Sequence, residues 1–237
     1  MFIRMLTKIS EYLPREIVRH IANLIIDKLL NKYASINVDG YENLKDVTRP
    51  IIFICNHLSN ADGLVLNKVL SNENVTFVSG VKLSNNSYTN LGNIAINTTS
   101  IIPNSPDRVG LERTIKLLNE RKNILIFPEG TRSRNGSMSE GKKGVLLIKK
   151  LTNASIIPIG LSGTEKLLPI NEDDMAKENF QHAIVNVKIG KPIKIQDKDV
   201  SETKKEYETR MLNILMASVA VLLPKEYRGV YSGVLKE

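Results

Sequence analysis

The chain has 237 residues, 42% of them hydrophobic and 24% charged, and a formal net charge of +8; this suits one domain of ordinary to large size, alone or with a short appendage, rather than a disordered chain. Cys55 is the only cysteine, which excludes an intrachain disulfide and makes a reducing compartment the simpler expectation. The basic balance attracts phosphates, anionic membrane surfaces, nucleic acid or an acidic partner without choosing among them, but the lack of Trp and the 5% aromatic content argue against a base-stacking nucleic-acid surface.

From the N-terminus, residues 1–34 read as two helices hinged near Leu13-Pro14. Phe2, Met5, Leu6, Ile9 and Leu13 recur at helical spacing, and so do Ile17, Ile21, Leu24, Ile25 and Leu29. Such a pair either lies in a lipid interface, apolar side inward, or packs on its own domain; periodicity leaves both open. Charged residues interrupt the first stretch, so it lacks the unbroken apolar core of a secretory signal. The best apolar run, Ile214 to Leu223, is too short to span a bilayer.

Residues 35–237 read as one α/β domain. Pro50 to Cys55 is an expected buried strand, as are Asn74 to Ser79, Asn123 to Phe127, Ser155 to Leu161 and Ile184 to Ile189. Between them, Ser105-Pro106-Asp107 starts an expected helix running toward Arg121, and Gly144 to Leu151 reads as another. A terminal helix follows from Ser201 to about Leu223. Strands alternating with helices imply a central, mostly parallel or mixed sheet flanked by helices.

Two segments carry the chemistry. Asn56-His57-Leu58-Ser59-Asn60-Ala61-Asp62-Gly63 leaves the end of the first strand, where open α/β sheets place ligands. Ser59 and Asn60 can cap a helix from about Ala61. Asp62 can then meet His57 across the turn, fix its tautomer and leave the other ring nitrogen as a general base. The plainer alternative is that His57 and Asp62 each merely cap local structure. A metal site is a weak third option, because His20 and His182 lie in unrelated segments. Cys55 is expected to be a buried strand residue rather than a nucleophile. In the second segment, Phe127-Pro128-Glu129-Gly130-Thr131-Arg132-Ser133-Arg134-Asn135-Gly136, the glycines permit turns closed to other residues. Arg132 and Arg134 offer forked donors for phosphate oxygens, with the Thr131 and Ser133 hydroxyls beside them. A solvated basic turn is the alternative for this loop taken alone.

Together these segments resemble the phospholipid/glycerol acyltransferase family, whose best-known members acylate 1-acyl-sn-glycerol-3-phosphate. His57 through Asp62 matches the family's first motif, a His followed by four residues and an Asp. Phe127 through Ser133 matches the third almost letter for letter, and Ile157-Pro158-Ile159 matches the fourth. The resemblance covers roughly residues 35 to 195. The second motif departs: Ser100 to Arg108 has an Ile near the place where the family carries a basic residue, with Arg108 as a substitute. Lys82 stands where family members often place a lysine near the substrate phosphate.

The resemblance implies that His57, oriented by Asp62, deprotonates an acceptor hydroxyl, which attacks an acyl thioester directly. Arg132, with Arg134, would hold the acceptor phosphate, Glu129 would position the glycerol hydroxyls or that arginine, and Pro158 would border the acyl site. The implied substrates are a lysophospholipid and an acyl-CoA or acyl-carrier-protein thioester, with no other cofactor, no metal and no nucleic acid. An anionic membrane surface would be a partner, with the protein peripheral on the cytoplasmic face. The alternatives are another lysolipid or glycerol phosphate as acceptor, a non-catalytic lipid-surface binding module, or a thioester hydrolase.

Overall fold

A computed structural model describes residues 13–80, 92, 94–102, 107–171 and 178–233. The first expected helix (apart from Leu13), Lys82, and the Ser105-Pro106 pair lie outside the described residues. Among the described residues seven strands form one sheet in the order β1-β7-β6-β2-β5-β3-β4. The strands are β1 (Ala34–Asp39), β2 (Ile51–Cys55), β3 (Val75–Gly80), β4 (Thr98–Ile101), β5 (Asn123–Ile126), β6 (Ser155–Ser162) and β7 (Ala183–Ile189).

All five residues of β2 are buried, because the sheet is covered on both faces and a central strand then has no solvent side. Its odd residues Ile51, Phe53 and Cys55 join Leu125, Ile157 and Ile159 in one core, closed by Ala22, Ile26 and Leu30 of α1 (Arg15–Tyr33) and by Ala61, Val65 and Leu66 of α2 (Ala61–Val69). The even residues Ile52 and Ile54 join Ile124, Ile126 and Ile156 in the other core. That core is closed by Leu118 of α3 (Arg108–Asn119), by Val145 and Ile148 of α4 (Gly144–Lys150), and by Leu215, Met216 and Val219 of α6 (Lys204–Ala220).

Strands β2 to β6 run parallel where they pair, so the loops leaving β2 and β5, which are neighbours, emerge side by side at one edge. Strand β7 pairs antiparallel with β6, and β1 runs with β7. The reversal starts at Gly163, whose left-handed φ of 90° turns the chain into the one-turn helix α5 (Thr164–Leu167). A side chain there would strike the Ile184 carbonyl oxygen, so glycine is required for β7 to return this closely.

Three expectations change in detail. Helix α1 buries Val18, Ala22, Ile26 and Leu30, packs Ile25 and Leu29 of the anticipated stripe partly buried against the same core, and leaves Ile17 and Leu24 about half exposed at 47% and 57%. Its inner side is therefore built into the domain, and the outer side keeps part of the apolar pattern. The N-cap of α3 is Asp107, which accepts from the Gly110 N–H at 2.9 Å. Two edge strands, β1 and β4, went unforeseen. Their burial is slight and their sequences, ASINVD and TTSI, are too polar to read as core strands.

Candidate active site

The loop from Asn56 to Asn60 is held at the sheet edge by amides imitating a strand. Asn56 is buried, donates through Nδ2 to the Leu161 carbonyl oxygen at 2.8 Å and accepts from the Leu161 N–H at 2.9 Å. This extends the pairing of β2 with β6 by one residue and fixes where His57 leaves the strand. Ser59 accepts from the Ala61 N–H at 3.1 Å and donates to the Leu168 carbonyl oxygen at 2.7 Å, so it caps α2 as expected. Asn60 occupies the N-cap position but makes no capping bond.

His57 and Asp62 meet. Nδ1 lies 2.7 Å from Asp62 Oδ2, which also accepts from the Leu58 and Ser59 N–H groups at 2.6 and 3.0 Å. The aspartate is fully buried while the His57 side chain is 21% exposed, so the pair presents its imidazole outward. A buried carboxylate at Nδ1 favours the tautomer protonated there and leaves Nε2 as the nitrogen able to take a proton. The Phe127 ring stacks on the imidazole with centroids 4.1 Å apart and planes 15° from parallel, which restricts its rotation.

Glu129 braces the two loops. Its Oε1 accepts from the His57 backbone N–H at 2.9 Å, and its Oε2 accepts from the Ser139 N–H and hydroxyl, each at 2.8 Å. A second tie runs from the Ser133 N–H to the His57 carbonyl oxygen at 2.7 Å. Glu129 is 2% exposed, and burial raises its pKa against the opposing pull of the Ser139 and His57 donors. The Glu129 carboxylate, expected to position the glycerol hydroxyls or Arg132, accepts in the structure from the protein's own His57 and Ser139.

Arg132 follows on the same loop, and its Nη1 donates to Glu178 Oε1 at 3.2 Å. Gly130 sits at φ 72° with the Lys142 side chain crossing it closely, while Thr131 and Arg134 are exposed along the rim. Pro158 is buried in β6 opposite Ile54, on the sheet side of the core closed by α6, and Gly190 packs on its ring. Arg108 is exposed at the start of α3. Cys55 is fully buried and burial pushes its thiol pKa well up, which makes it a poor nucleophile.

Sequence reasoning did not single out Phe127 as a partner for the imidazole, Ser139 as an anchor for Glu129, or Glu178. Nothing in the acidic stretch Glu172-Asp173-Asp174 through Glu178 distinguishes the last from its neighbours; only the fold brings it to Arg132.

The model of the acyltransferase family matches residues 35–162, more than half of the chain. A chloroplastic 1-acyl-sn-glycerol-3-phosphate acyltransferase of Arabidopsis thaliana is 29% identical over 189 residues, covering 78% of this chain and 51% of that protein. Another 1-acyl-sn-glycerol-3-phosphate acyltransferase, from Chlamydomonas reinhardtii, is 27% identical over 82% of this chain and 58% of its own length. The chain spans about half the length of the curated relatives it matches. The crystal structure of the 1-acyl-sn-glycerophosphate acyltransferase PlsC from Thermotoga maritima has the same fold, with a TM-score of 0.56, 23% identity, and coverage of 92% of this chain and 88% of that one. The family match takes in both loops that meet at the sheet edge, and the chain belongs to the acyltransferase family.

Proposed function

We propose that the protein transfers a fatty acyl group from an acyl-CoA or acyl-carrier-protein thioester to the free hydroxyl of 1-acyl-sn-glycerol-3-phosphate, giving phosphatidic acid. The observation that carries this reading is the outward-facing imidazole held at 2.7 Å by a buried carboxylate, on a loop tied to the one bearing Arg132. His57 Nε2 takes the acceptor hydroxyl proton as that oxygen attacks the thioester carbonyl carbon. The carbon–sulfur bond then breaks, and the proton passes from Nε2 to the departing thiolate. Asp62 stabilises the imidazolium formed between the two steps. General-base transfer of this kind contributes ~10²–10⁴ in rate, and holding both reactants in the cleft contributes several kcal/mol more. This reading assigns no further cofactor, since the thioester already carries the acyl group in activated form and His57 accounts for the proton.

In this reading Arg132 grips the acceptor phosphate, with Arg134, Thr131 and Lys82 as candidate rim contacts and Pro158 bordering the acyl side. Arg132→Ala should raise the acceptor KM about 10- to 100-fold with a smaller change in kcat. This corresponds to one lost charge-assisted bond of roughly 1.5–3 kcal/mol. An unchanged KM for the phosphate-bearing acceptor would remove Arg132 from that role. Thermal stability should be followed alongside, because the truncation also takes a cation from the buried Glu178 carboxylate.

The membrane is the proposed second partner, met by residues 1–34. No helix among the described residues is long and apolar enough to cross a bilayer, and Ile17 and Leu24 stay outward on α1, on the same side as Lys28. An apolar pair with an adjacent cation suits peripheral binding to anionic lipid, which on the cytoplasmic face would also deliver acceptor and remove product. Replacing both Ile17 and Leu24 by Asp should reduce co-sedimentation with phosphatidylglycerol vesicles by about tenfold or more, given roughly 1.5–3 kcal/mol per buried aliphatic side chain. Unchanged sedimentation would rule this side of α1 out as the contact.

The deciding assay is purified protein with acyl-CoA or acyl-carrier-protein donors against a panel of lysolipids, glycerol phosphate included, following thiol release and lipid product together. Equal thiol and lipid yields support transfer. Thiol release without lipid product would instead make the protein a thioester hydrolase, and the absence of both, with lysolipid or vesicle binding retained, a lipid-surface binding module.

A further inference from the structure

We propose that Glu178 is a positioning residue for the anionic head of the acceptor, acting through Arg132. Glu178 lies beyond residue 162, where the family match ends. Its side chain is 1% exposed. Oε2 accepts from Asn60 Nδ2 at 2.6 Å and Oε1 accepts from Arg132 Nη1 at 3.2 Å. Asn60 stands at the N-terminus of α2, one residue before the turn that carries Asp62, and Arg132 adjoins Ser133, which is bonded to the His57 carbonyl. One carboxylate from a third segment therefore touches both loops of the site.

Charge alone gives no reason for a carboxylate here. A negative group beside Arg132 partly cancels the attraction on which a phosphate site depends. Its contribution is direction. An arginine side chain carries about 2 kcal/mol of rotamer entropy, and a guanidinium fixed before the ligand arrives spends less of its binding energy on ordering. Asn60 completes the device by using its amide to hold the carboxylate. The inference rests on the reading of Arg132 as the residue that grips the acceptor phosphate.

Two conservative variants separate reach from charge. Glu178→Gln keeps the reach: Oε1 still accepts from Arg132, and Nε2 can donate to Asn60 Oδ1 after that amide flips. Glu178→Asp keeps the charge but is one methylene too short to meet both partners. Equilibrium binding of 1-acyl-sn-glycerol-3-phosphate and of the corresponding phosphate-free monoacylglycerol, in the same detergent micelles without thioester, is the primary measurement. Acceptor KM and kcat are the secondary ones.

For the phosphate-bearing acceptor, Glu178→Asp should weaken binding and raise KM on the order of tenfold, with a smaller change in kcat. Glu178→Gln should recover most of that loss, and the monoacylglycerol should not distinguish the variants. Glu178→Asp binding like the wild type, Glu178→Gln being the more damaging of the two, or equal losses for both lipids would each overturn the proposal. Arg132→Ala in the same binding assay separates the two readings. If it loses phosphate-dependent binding while Glu178→Asp does not, the positioning role fails alone. If Arg132→Ala has no effect, the phosphate reading of Arg132 has failed and this inference with it. Because binding is read without the thioester, a protein that showed no turnover would still decide the role of Glu178.

Discussion

His57→Ala should leave the protein folded and lower the proposed acyl transfer by about 10²–10⁴ or more, the range for removing a placed general base. The fold should persist because the imidazole is partly exposed, and its loss leaves Asp62 Oδ2 with two backbone donors, Leu58 and Ser59 N–H. Asp62→Asn tests the same pair from the buried side. An asparagine oxygen placed at the Oδ2 position keeps the three contacts but carries no charge, so the imidazolium loses its partner. With the amide nitrogen there instead, a donor faces three donors. Either way kcat falls while lipid binding is retained. The measurements are single-turnover transfer rates and a thermal melt for each variant. His57→Ala with near wild-type turnover and an unchanged melt would remove the imidazole from the mechanism.

Glu129→Gln should cost both stability and activity although it replaces one atom. Three protein donors converge on the carboxylate, split between its two oxygens. A glutamine has one acceptor oxygen, so its amide nitrogen must face either the His57 N–H or the Ser139 pair. Leaving a buried donor unpaired costs about 1–3 kcal/mol, which corresponds to a melting temperature lower by several degrees in a domain of this size. Activity should fall as well, since the His57 N–H is one of the anchors that place the imidazole. The clamp continues past Ser139: the Met138 N–H donates to the Tyr227 carbonyl oxygen at 2.8 Å, and the Gly141 N–H donates to the Tyr231 hydroxyl at 3.0 Å. The C-terminal turns thus support the loop that supports Glu129. A Glu129→Gln protein that melts and turns over like the wild type would show that this brace neither stabilises the fold nor places the imidazole.

Much of the architecture could be read from local pattern. Central strands such as β2 and β5 are continuous apolar runs because both of their sides are buried, and their observed ends differ from the expected ones by a residue or so. Five-residue spacing across a strand-to-helix turn allows the contact of His57 with Asp62 but is equally compatible with local capping by each, and the structure is what shows the contact. The edge strands β1 and β4 escaped notice because one side of an edge meets solvent and the apolar signal fades.

Helix α1 shows where local pattern stops being sufficient. Its apolar residues cover more than one side, and periodicity alone could not choose between Ile17-Leu24 and Val18-Ala22-Ile26-Leu30 as the buried row. The sheet made that choice.

The sequence by itself determined the class of fold and the placing of a histidine, an aspartate five residues on and an arginine-bearing loop just after two strands, because each depends on residues a few positions apart. Only the tertiary structure decided that Glu129 points its carboxylate at backbone donors, that Asn60 serves a distant carboxylate instead of its own helix, and that Glu178 reaches Arg132 across 46 positions. Those partners are fixed by strand order and the return of β7. Such a contact leaves no periodic trace in a chain, since its distance in space is unrelated to its distance in sequence.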